Sequence, residues 1–372
     1  MSKISSGIYI KGLNTFRFFA AFLVIISHGQ QSLVKVNGLN NISLPILDRG
    51  REGVEFFFVL SGFLITYLLS TEIDKSGTVS IKGFYMRRIF RIWPLYFIIL
   101  ALGTFILCFV YPFLYHKPFF QIATWKWLTL FIFFLPNLAT RLYPMGLLNP
   151  LWSIGVEEQF YLFWAPFVKL FKKRILVAVV IFIIASSVWQ LILEKNVLNF
   201  SSLWLGFFKF QKFYSMAIGG LFGYFFKCIK VGQKIAFIHK LIHVIVFTLI
   251  LIHLFFIVPY SDTFIYRFFL SALFGLLIFY TAILSDLKPI LNFEFQPLIY
   301  LGTISYGLYC YHMTIDYLLR IILLKSHLFV YNKYLLLFFY ESLLILTTVV
   351  ISAISFRYVE SYFLRLKAKF NH

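Results

Sequence analysis

Apolar residues are arranged along this chain in long runs, and short polar segments separate the runs. A helix needs about 20 mostly apolar residues to cross the hydrocarbon core of a bilayer. Ten runs approach that length, so the pattern predicts an all-α, polytopic membrane protein with about ten transmembrane helices. The predicted spans are 13–28, 53–70, 93–110, 151–168, 175–193, 213–226, 241–258, 268–285, 298–323 and 334–359.

The composition supports the same class of protein. Hydrophobic residues make up 61% of the 372 residues and charged residues only 13%, whereas soluble domains average about 45–50% and about 25%. A soluble enzyme, a disulfide-stabilised secreted domain and a disordered chain are therefore excluded. There is no internal repeat, and we expect one integral membrane domain over residues 1–372, with no soluble C-terminal domain.

The net charge of +20 arises from 34 basic and 14 acidic residues. Cytoplasmic loops of membrane proteins carry an excess of Lys and Arg. With the N-terminus in the cytoplasm, the inside segments hold 19 basic residues in 79, and the outside segments hold 12 in 101. This distribution predicts cytoplasmic termini and basic segments that contact anionic lipids. Nucleic acid is not expected as a partner.

The first predicted span carries two ionisable residues, Arg17 and His28. Their separation of 11 residues is close to three helical turns, so they share a face and stand ~16 Å apart along the axis. Ionisable side chains inside a membrane are costly and usually functional. We interpret them as a functional pair, with His28 at the outer end of the span. Snorkelling of Arg17 and an interfacial position for His28 are the alternative interpretation.

The second span begins beside Glu55, which the helix dipole would stabilise at a helix N-terminus. Ser61 and Gly62 follow within two turns, and because small residues let a backbone or a ligand approach closely, we predict that the donor passes both of them. Before the third span stand Arg87, Arg88 and Arg91. These arginines satisfy the positive-inside rule, and their guanidinium groups also match the geometry of phosphate.

Two further polar clusters lie in predicted spans. Ser153, Glu157 and Tyr161 are spaced i, i+4, i+8 and form one polar stripe, in which Glu157 is a candidate partner for His28. His312 and Asp316 lie one turn apart, and we interpret them as a buried polar pair that holds helices together. His239 and His243 also lie one turn apart. No metal site is predicted, because zinc needs three or four ligands and this pair lacks a third.

Five motifs, taken in this order, resemble the acyltransferase-3 family of bacterial integral membrane O-acyltransferases. They are Arg17 with His28; Gly53-Val54-Glu55 with Ser61-Gly62; Arg88 and Arg91 before Pro94; Trp152-Ser153 with Glu157 and Tyr161; and Ile304 to Tyr309, including Tyr306, with His312. The resemblance covers most of the chain. Asn14 and Glu55 depart from it, since the family often has Asp at both positions.

The resemblance implies transfer of an acyl group, usually acetyl from acetyl-CoA, to a surface polysaccharide, lipopolysaccharide or lipid-linked glycan. It also implies that His28 and Arg17 are essential and that Arg88 and Arg91 bind the donor. The hypothesis is an acyl-CoA-dependent enzyme of the bacterial cytoplasmic membrane, with His28 as general base or acyl carrier, Glu157 orienting it, and Arg17 stabilising the oxyanion. No permanently bound cofactor is expected.

Two other functions stay open at the level of sequence. A lipid-linked sugar glycosyltransferase would use the acidic residues Asp48, Glu52 and Glu55. A non-enzymatic polysaccharide exporter would use its aromatic-rich spans to line a path. Consumption of acetyl-CoA by the purified protein distinguishes these functions from acyl transfer.

Overall fold

The computed structural model describes residues 9–37, 45–116, 124–143, 146–229, 236–256, 261–285, 287, 289–325 and 332–370, and within these ranges all regular secondary structure is helical. The ten long helices are α1 (Leu13–Asn37), α2 (Gly50–Ser76), α3 (Ile81–Phe105), α7 (Leu151–Leu170), α8 (Ile175–Glu194), α10 (Phe213–Cys228), α11 (Ala236–Phe256), α12 (Phe264–Ile283), α14 (Ser305–Lys325) and α15 (Lys333–Ser355). The short helices are α4 (Tyr111–Tyr115), α5 (Thr124–Ile132), α6 (Pro136–Leu142), α9 (Ser202–Phe210), α13 (Gln296–Thr303) and α16 (Ser361–Lys367).

The helices confirm a multi-pass, all-α membrane protein. Each of the ten predicted spans overlaps one of the long helices. In the described part of the chain, six segments are long and apolar enough to cross a membrane: Gly50–Ser76, Ile81–Tyr115, Ile175–Glu194, Phe237–Phe255, Phe264–Ile283 and Lys333–Phe370. Helices α1, α7, α10 and α14 fall outside that set. α10 has only 16 residues, and the other three carry polar residues of the candidate site, so a count of ten spans stays a prediction.

Two predicted boundaries are wrong. α1 continues nine residues beyond His28 to Asn37, a rise of about 14 Å at 1.5 Å per residue. His28 therefore lies inside a helix and not at its outer end. The predicted span 298–323 is interrupted, because α13 ends at Thr303 and α14 begins at Ser305.

α2 lies at the centre of the bundle. In its most apolar stretch 72% of the residues are buried, against 22% for α11, which lies at the periphery. α2 packs against α10 at backbone distance, since a Cβ atom at Gly62 would overlap the Met216 carbonyl and one at Gly219 would overlap the Val59 carbonyl. Gly62, a predicted donor-binding residue, therefore has a structural reason to lack a side chain, because the space is taken by the α10 backbone.

The outer surface of the bundle is apolar, as a lipid environment requires. Ile181 and Ile184 on α8 are exposed, as are Phe338 and Phe339 on α15. Large apolar side chains are unfavourable on a surface exposed to water, but they are favourable in contact with lipid tails. Polar residues of α1, α2 and α7, such as Arg17, Ser61 and Glu157, face inward and line an internal cavity.

Candidate active site

Five helices enclose a small cavity near the end of the bundle that carries Arg88; it is called the inner cavity here. Its volume is about 100 Å³. Its polar lining residues are Arg17, Ser61, Arg88, Arg91, Ser153, Glu157, Tyr161, Ser305, Tyr306 and Tyr309. The structure thus brings together eight of the predicted site residues from α1, α2, α3, α7 and α14, which lie up to 289 positions apart along the chain.

The side chains in the inner cavity hold one another in place. The Glu157 carboxylate accepts hydrogen bonds from the Ser61 hydroxyl at 3.1 Å and the Tyr161 hydroxyl at 2.9 Å. The Arg88 guanidinium lies 5.6 Å from the ring centroid of Tyr161, a distance at which a cation is attracted to an aromatic face. Arg17 donates to the Asn14 side chain at 3.1 Å. Three guanidinium groups therefore meet one carboxylate at this cavity.

Arg87 has a different place from its two neighbours. It forms an ion pair with Glu72 at 2.8 Å and donates to the Phe370 carbonyl at 2.9 Å. These contacts fasten α3 to the end of α2 and to the C-terminal segment. Of the three arginines predicted to bind a donor, Arg88 and Arg91 line the inner cavity, and Arg87 lies beside it.

Lys367 on α16 is a further basic residue at this end of the bundle, and no sequence motif indicated it. It interacts electrostatically with Arg17, Arg88 and Arg91. α16 is held near α3 by the same C-terminal contacts, because the rings of Phe90 and Phe370 stack with centroids 5.7 Å apart. Lys367 follows Arg91 by 276 positions, so no local pattern could have joined the two.

His28 lies against His312 of α14. The His28 Nδ1 and His312 Nε2 atoms are 2.9 Å apart, and the rings stack with an interplanar angle of 16°. His312 is fully buried, and its Nδ1 lies 2.7 Å from the Tyr309 carbonyl oxygen. A carbonyl only accepts, so His312 Nδ1 carries the proton and its Nε2 accepts from His28 Nδ1–H. Neutral His28 is then unprotonated at Nε2, the atom that a general base needs.

Glu157, the predicted partner of His28, has contacts with other residues. Glu157 lines the inner cavity and is bonded to Ser61 and Tyr161, whereas His28 lines a second cavity. The residue placed to orient His28 is His312. The sequence analysis paired His312 with Asp316. In the structure, the Asp316 carboxylate accepts hydrogen bonds from the hydroxyl groups of Ser32 and Tyr340, each at 2.8 Å.

The second cavity, called the outer cavity here, is larger and opens near the other end of the bundle. Its volume is about 650 Å³. His28 lines it together with Ser27, Gln31, Trp152, Gln190 and several charged residues. Val54 and Tyr309 line both cavities. These two side chains therefore stand between a cavity rich in arginine and a cavity lined by His28.

Tyr309 is positioned at this junction by α7. Its hydroxyl lies 2.7 Å from the Ser153 hydroxyl and donates to the Pro150 carbonyl at 3.1 Å. Ser153 thus helps to position Tyr309. The sequence contained Tyr309 within a family motif, but its position between two cavities depends on the packing of α7, α2 and α14.

Two predicted supporting residues have structural contacts. Glu55 is fully buried and accepts hydrogen bonds from Lys212 at 3.0 Å, from Ser271 at 2.8 Å and from Ser215, so it joins α2 to α10 and α12. The Tyr306 hydroxyl donates to the Ile92 carbonyl at 2.8 Å and joins α14 to α3. In each case a buried polar atom is satisfied across a helix interface.

The fold and the site together define a multi-pass membrane protein with a polar site enclosed by its helices. The chain belongs to the acyltransferase-3 family, because residues 10–357 match the profile of this acyltransferase domain. It is 27% identical over 374 residues to the peptidoglycan O-acetyltransferase OatA of Listeria monocytogenes, and 25% identical over 378 residues to the O-acetyltransferase OatA of Staphylococcus aureus. No solved structure shows significant similarity to the chain.

The matches cover nearly all of this chain but only part of the relatives. They include 95% and 97% of the chain, and 55% and 58% of the Listeria and Staphylococcus proteins. The chain thus spans a little over half the length of the curated relatives that it matches.

Proposed function

We propose that the protein is an O-acetyltransferase that moves an acetyl group from acetyl-CoA across the membrane to a hydroxyl of a cell-envelope glycan. The observation that carries this proposal is the junction of the two cavities at Val54 and Tyr309. A donor bound among arginines and an acceptor bound beside His28 would meet there. Both relatives are O-acetyltransferases by name, and one is named for peptidoglycan.

The donor is assigned to the arginine end of the bundle. Four basic side chains, Arg17, Arg88, Arg91 and Lys367, interact here, and the carboxyl groups of Glu157 and Glu158 lie beside them. A concentration of guanidinium groups fits the phosphates of a nucleotide donor. The positive-inside rule predicts that this end faces the cytoplasm, where acetyl-CoA is available. The narrow inner cavity suits the acetyl-thioester end of the donor, because it is far too small for the nucleotide.

His28 and Arg17 supply the chemistry at the junction. The acceptor hydroxyl oxygen attacks the thioester carbon, and its proton passes to His28 Nε2. The hydrogen bond from His28 Nδ1–H to His312 stabilises the cation that forms, as the third member of a catalytic triad does. Arg17, in the inner cavity, stabilises the oxyanion. The C–S bond then breaks, CoA leaves and takes up the proton as its thiol, and the O-acetyl ester remains on the glycan.

The structure disfavours the glycosyltransferase alternative. That function needs acidic side chains able to bind a metal ion or a sugar. Glu52 forms an ion pair with Arg49 at 3.0 Å and Glu55 forms one with Lys212 at 3.0 Å, both in buried positions. Asp48 accepts from Gln31 at 3.1 Å. A purely passive exporter, for its part, does not need a histidine whose tautomer is fixed by a second histidine.

The decisive experiment uses the purified protein in proteoliposomes with radiolabelled acetyl-CoA and soluble peptidoglycan fragments. Acetyl-CoA should be consumed, and base-labile acetyl should appear on the glycan. His28→Ala should lower the rate about 10²- to 10⁴-fold, the usual contribution of a general base. His239→Ala is the matched control, since His239 lies on α11 outside both cavities. Absence of acetyl-CoA consumption by the unaltered protein would refute the proposal.

A further inference from the structure

The outer cavity is strongly basic, although it lies at the end of the bundle where positive charge is not expected. Five of its lining residues are basic, Arg51, Arg141, Lys209, Lys212 and Arg267, and two are acidic, Glu194 and Asp262. All five basic residues fall in segments assigned to the outside of the membrane. The positive-inside rule therefore does not account for them.

The two acidic residues do not balance this charge. Asp262 forms an exposed ion pair with Arg51 at 2.8 Å, and the Glu194 carboxylate accepts from the backbone N–H of Phe264 at 3.2 Å. Lys212 and Arg267 are only 5% and 7% exposed, and both interact with the buried Glu55 carboxylate, which Lys212 contacts at 3.0 Å. The excess positive charge of the cavity therefore rests on Arg141 and Lys209. A cleft lined by an excess of one sign of charge attracts ligands of the opposite sign.

Arg141 is held against the cavity wall by its surroundings. Its guanidinium lies 4.5 Å from the ring centroid of Phe210, within the range of a cation–π interaction. A Cβ atom at Gly206 would overlap the same guanidinium. Gly206 and Phe210 belong to α9, and both Phe210 and Lys209 line the cavity. α9 thus presents one lysine to the cavity and positions one arginine beside it.

We infer that the outer cavity binds an anionic group of the acceptor glycan, a carboxylate or a phosphate, close to the hydroxyl that is acetylated. This inference rests on the proposed function, because it describes the substrate of that same site. His28 and the basic residues line one cavity, so the anion and the reacting hydroxyl belong to neighbouring sugar units or to one unit. Arg141 and Lys209 determine specificity, and His28 performs the chemistry.

The test compares two acceptors that differ only in charge. The probes are a muramic-acid-containing oligosaccharide with its free carboxylate and the same oligosaccharide with the carboxylate converted to a methylamide. In phosphatidylcholine proteoliposomes, the acceptor KM of the unaltered protein should be about tenfold lower for the carboxylate form, the effect of one charge-assisted contact. That preference should weaken at high salt, because exposed charges are screened.

Three variants and one control locate the effect. Arg141→Ala/Lys209→Ala should bring the two KM values together with kcat and the acetyl-CoA KM unchanged, which also shows that the variant is folded. Gly206→Ala, which displaces the Arg141 guanidinium, should give an intermediate ratio. Lys195→Ala is the matched control, because this lysine follows α8 at the same end of the bundle but does not line the cavity. Lys209→Glu should favour the methylamide.

The outcomes separate this inference from the proposed function. Acetyl transfer with equal KM values for the two probes in the unaltered protein would overturn the inference and leave the function standing. A rise in both KM values when phosphatidylglycerol replaces phosphatidylcholine, abolished by the double variant, would assign the cavity to a lipid phosphate and overturn it as well. Absence of transfer to either probe, with acetyl-CoA not consumed, would refute the function itself.

Discussion

At the scale of single residues, the contact between His28 and His312 determines which nitrogen of His28 can accept a proton. The Tyr309 carbonyl fixes the proton of His312, and His312 in turn fixes that of His28. An orienting partner that accepts from Nδ1–H is what a histidine base requires. His312 is a positioning residue, since it acts through His28.

Two substitutions of His312 separate this role from simple packing. The amide oxygen of Gln can accept from His28 Nδ1–H, whereas Leu fills similar space without an acceptor. His312→Leu should lower kcat about ten- to a hundredfold, the cost of leaving a buried donor unsatisfied, and His312→Gln should restore much of it. The acetyl-CoA KM should stay constant in both. Steady-state kinetics in proteoliposomes measure this, and equal losses in the two variants would assign His312 to packing.

From the sequence, the residues that line the site were predicted more accurately than the contacts between them. Arg17, Ser61, Arg88, Arg91 and Glu157 do line one cavity. The partner of His28 could not be found from spacing, because His312 is 284 residues away and its role depends on how α14 packs against α1. Periodicity identified Glu157 as part of a polar stripe on α7. Because periodicity describes one helix at a time, it does not tell which residue of another helix lies opposite.

At the scale of helices, the arginines in the first turns of α3 are predicted both to orient the protein in the membrane and to bind the donor. Arg88 and Arg91 share a face of α3 that lines the inner cavity, and Arg87 turns to Glu72. Lysine preserves the charge that the positive-inside rule requires, but it cannot reproduce the paired donors of a guanidinium.

The Arg88→Lys/Arg91→Lys double variant therefore tests the donor site. Its apparent acetyl-CoA KM should rise roughly tenfold or more, since each charge-assisted contact contributes about 1.5–3 kcal/mol. The acceptor KM should not change, because the acceptor enters the other cavity. Lys82→Ala, in the same helix outside the cavity, is the control. An unchanged donor KM would leave these arginines with orientation alone.

The contact between α2 and α10 depends on glycine at Gly62 and Gly219. A Cβ atom at either position would overlap a backbone carbonyl, and backbone cannot move aside as a flexible side chain does. Gly219→Ala should therefore destabilise the folded protein by about 1–3 kcal/mol, as overpacking does, and lower its thermal midpoint in detergent. Gly146→Ala is the control, because nothing lies within 4 Å of the added atom. Equal midpoints for the two variants would contradict this account of the interface.

At the scale of the whole molecule, hydropathy predicts the class of fold. It is less effective at identifying as spans the helices whose polar residues line the site. Peripheral helices such as α8 and α11 are apolar on all sides, so composition identifies them directly. α1, α7 and α14 enclose the site, and their polar side chains lower their mean hydropathy. The same residues that make these helices functional also make them harder to recognise as spans.

The proposed mechanism requires that the two cavities face two different compartments. Labelling with an impermeant thiol reagent tests the orientation on which this requirement depends. In a Cys228→Ser background, which removes an exposed native cysteine, Asn199→Cys lies in the connection between α8 and α9, and Thr78→Cys lies in the connection between α2 and α3. The basic residues predict that position 199 faces outward and position 78 faces the cytoplasm. Asn199→Cys should react in intact cells, and Thr78→Cys should react only after permeabilisation. The opposite pattern would place the arginine cluster outside, where acetyl-CoA cannot reach it, and would contradict the assignment of the donor.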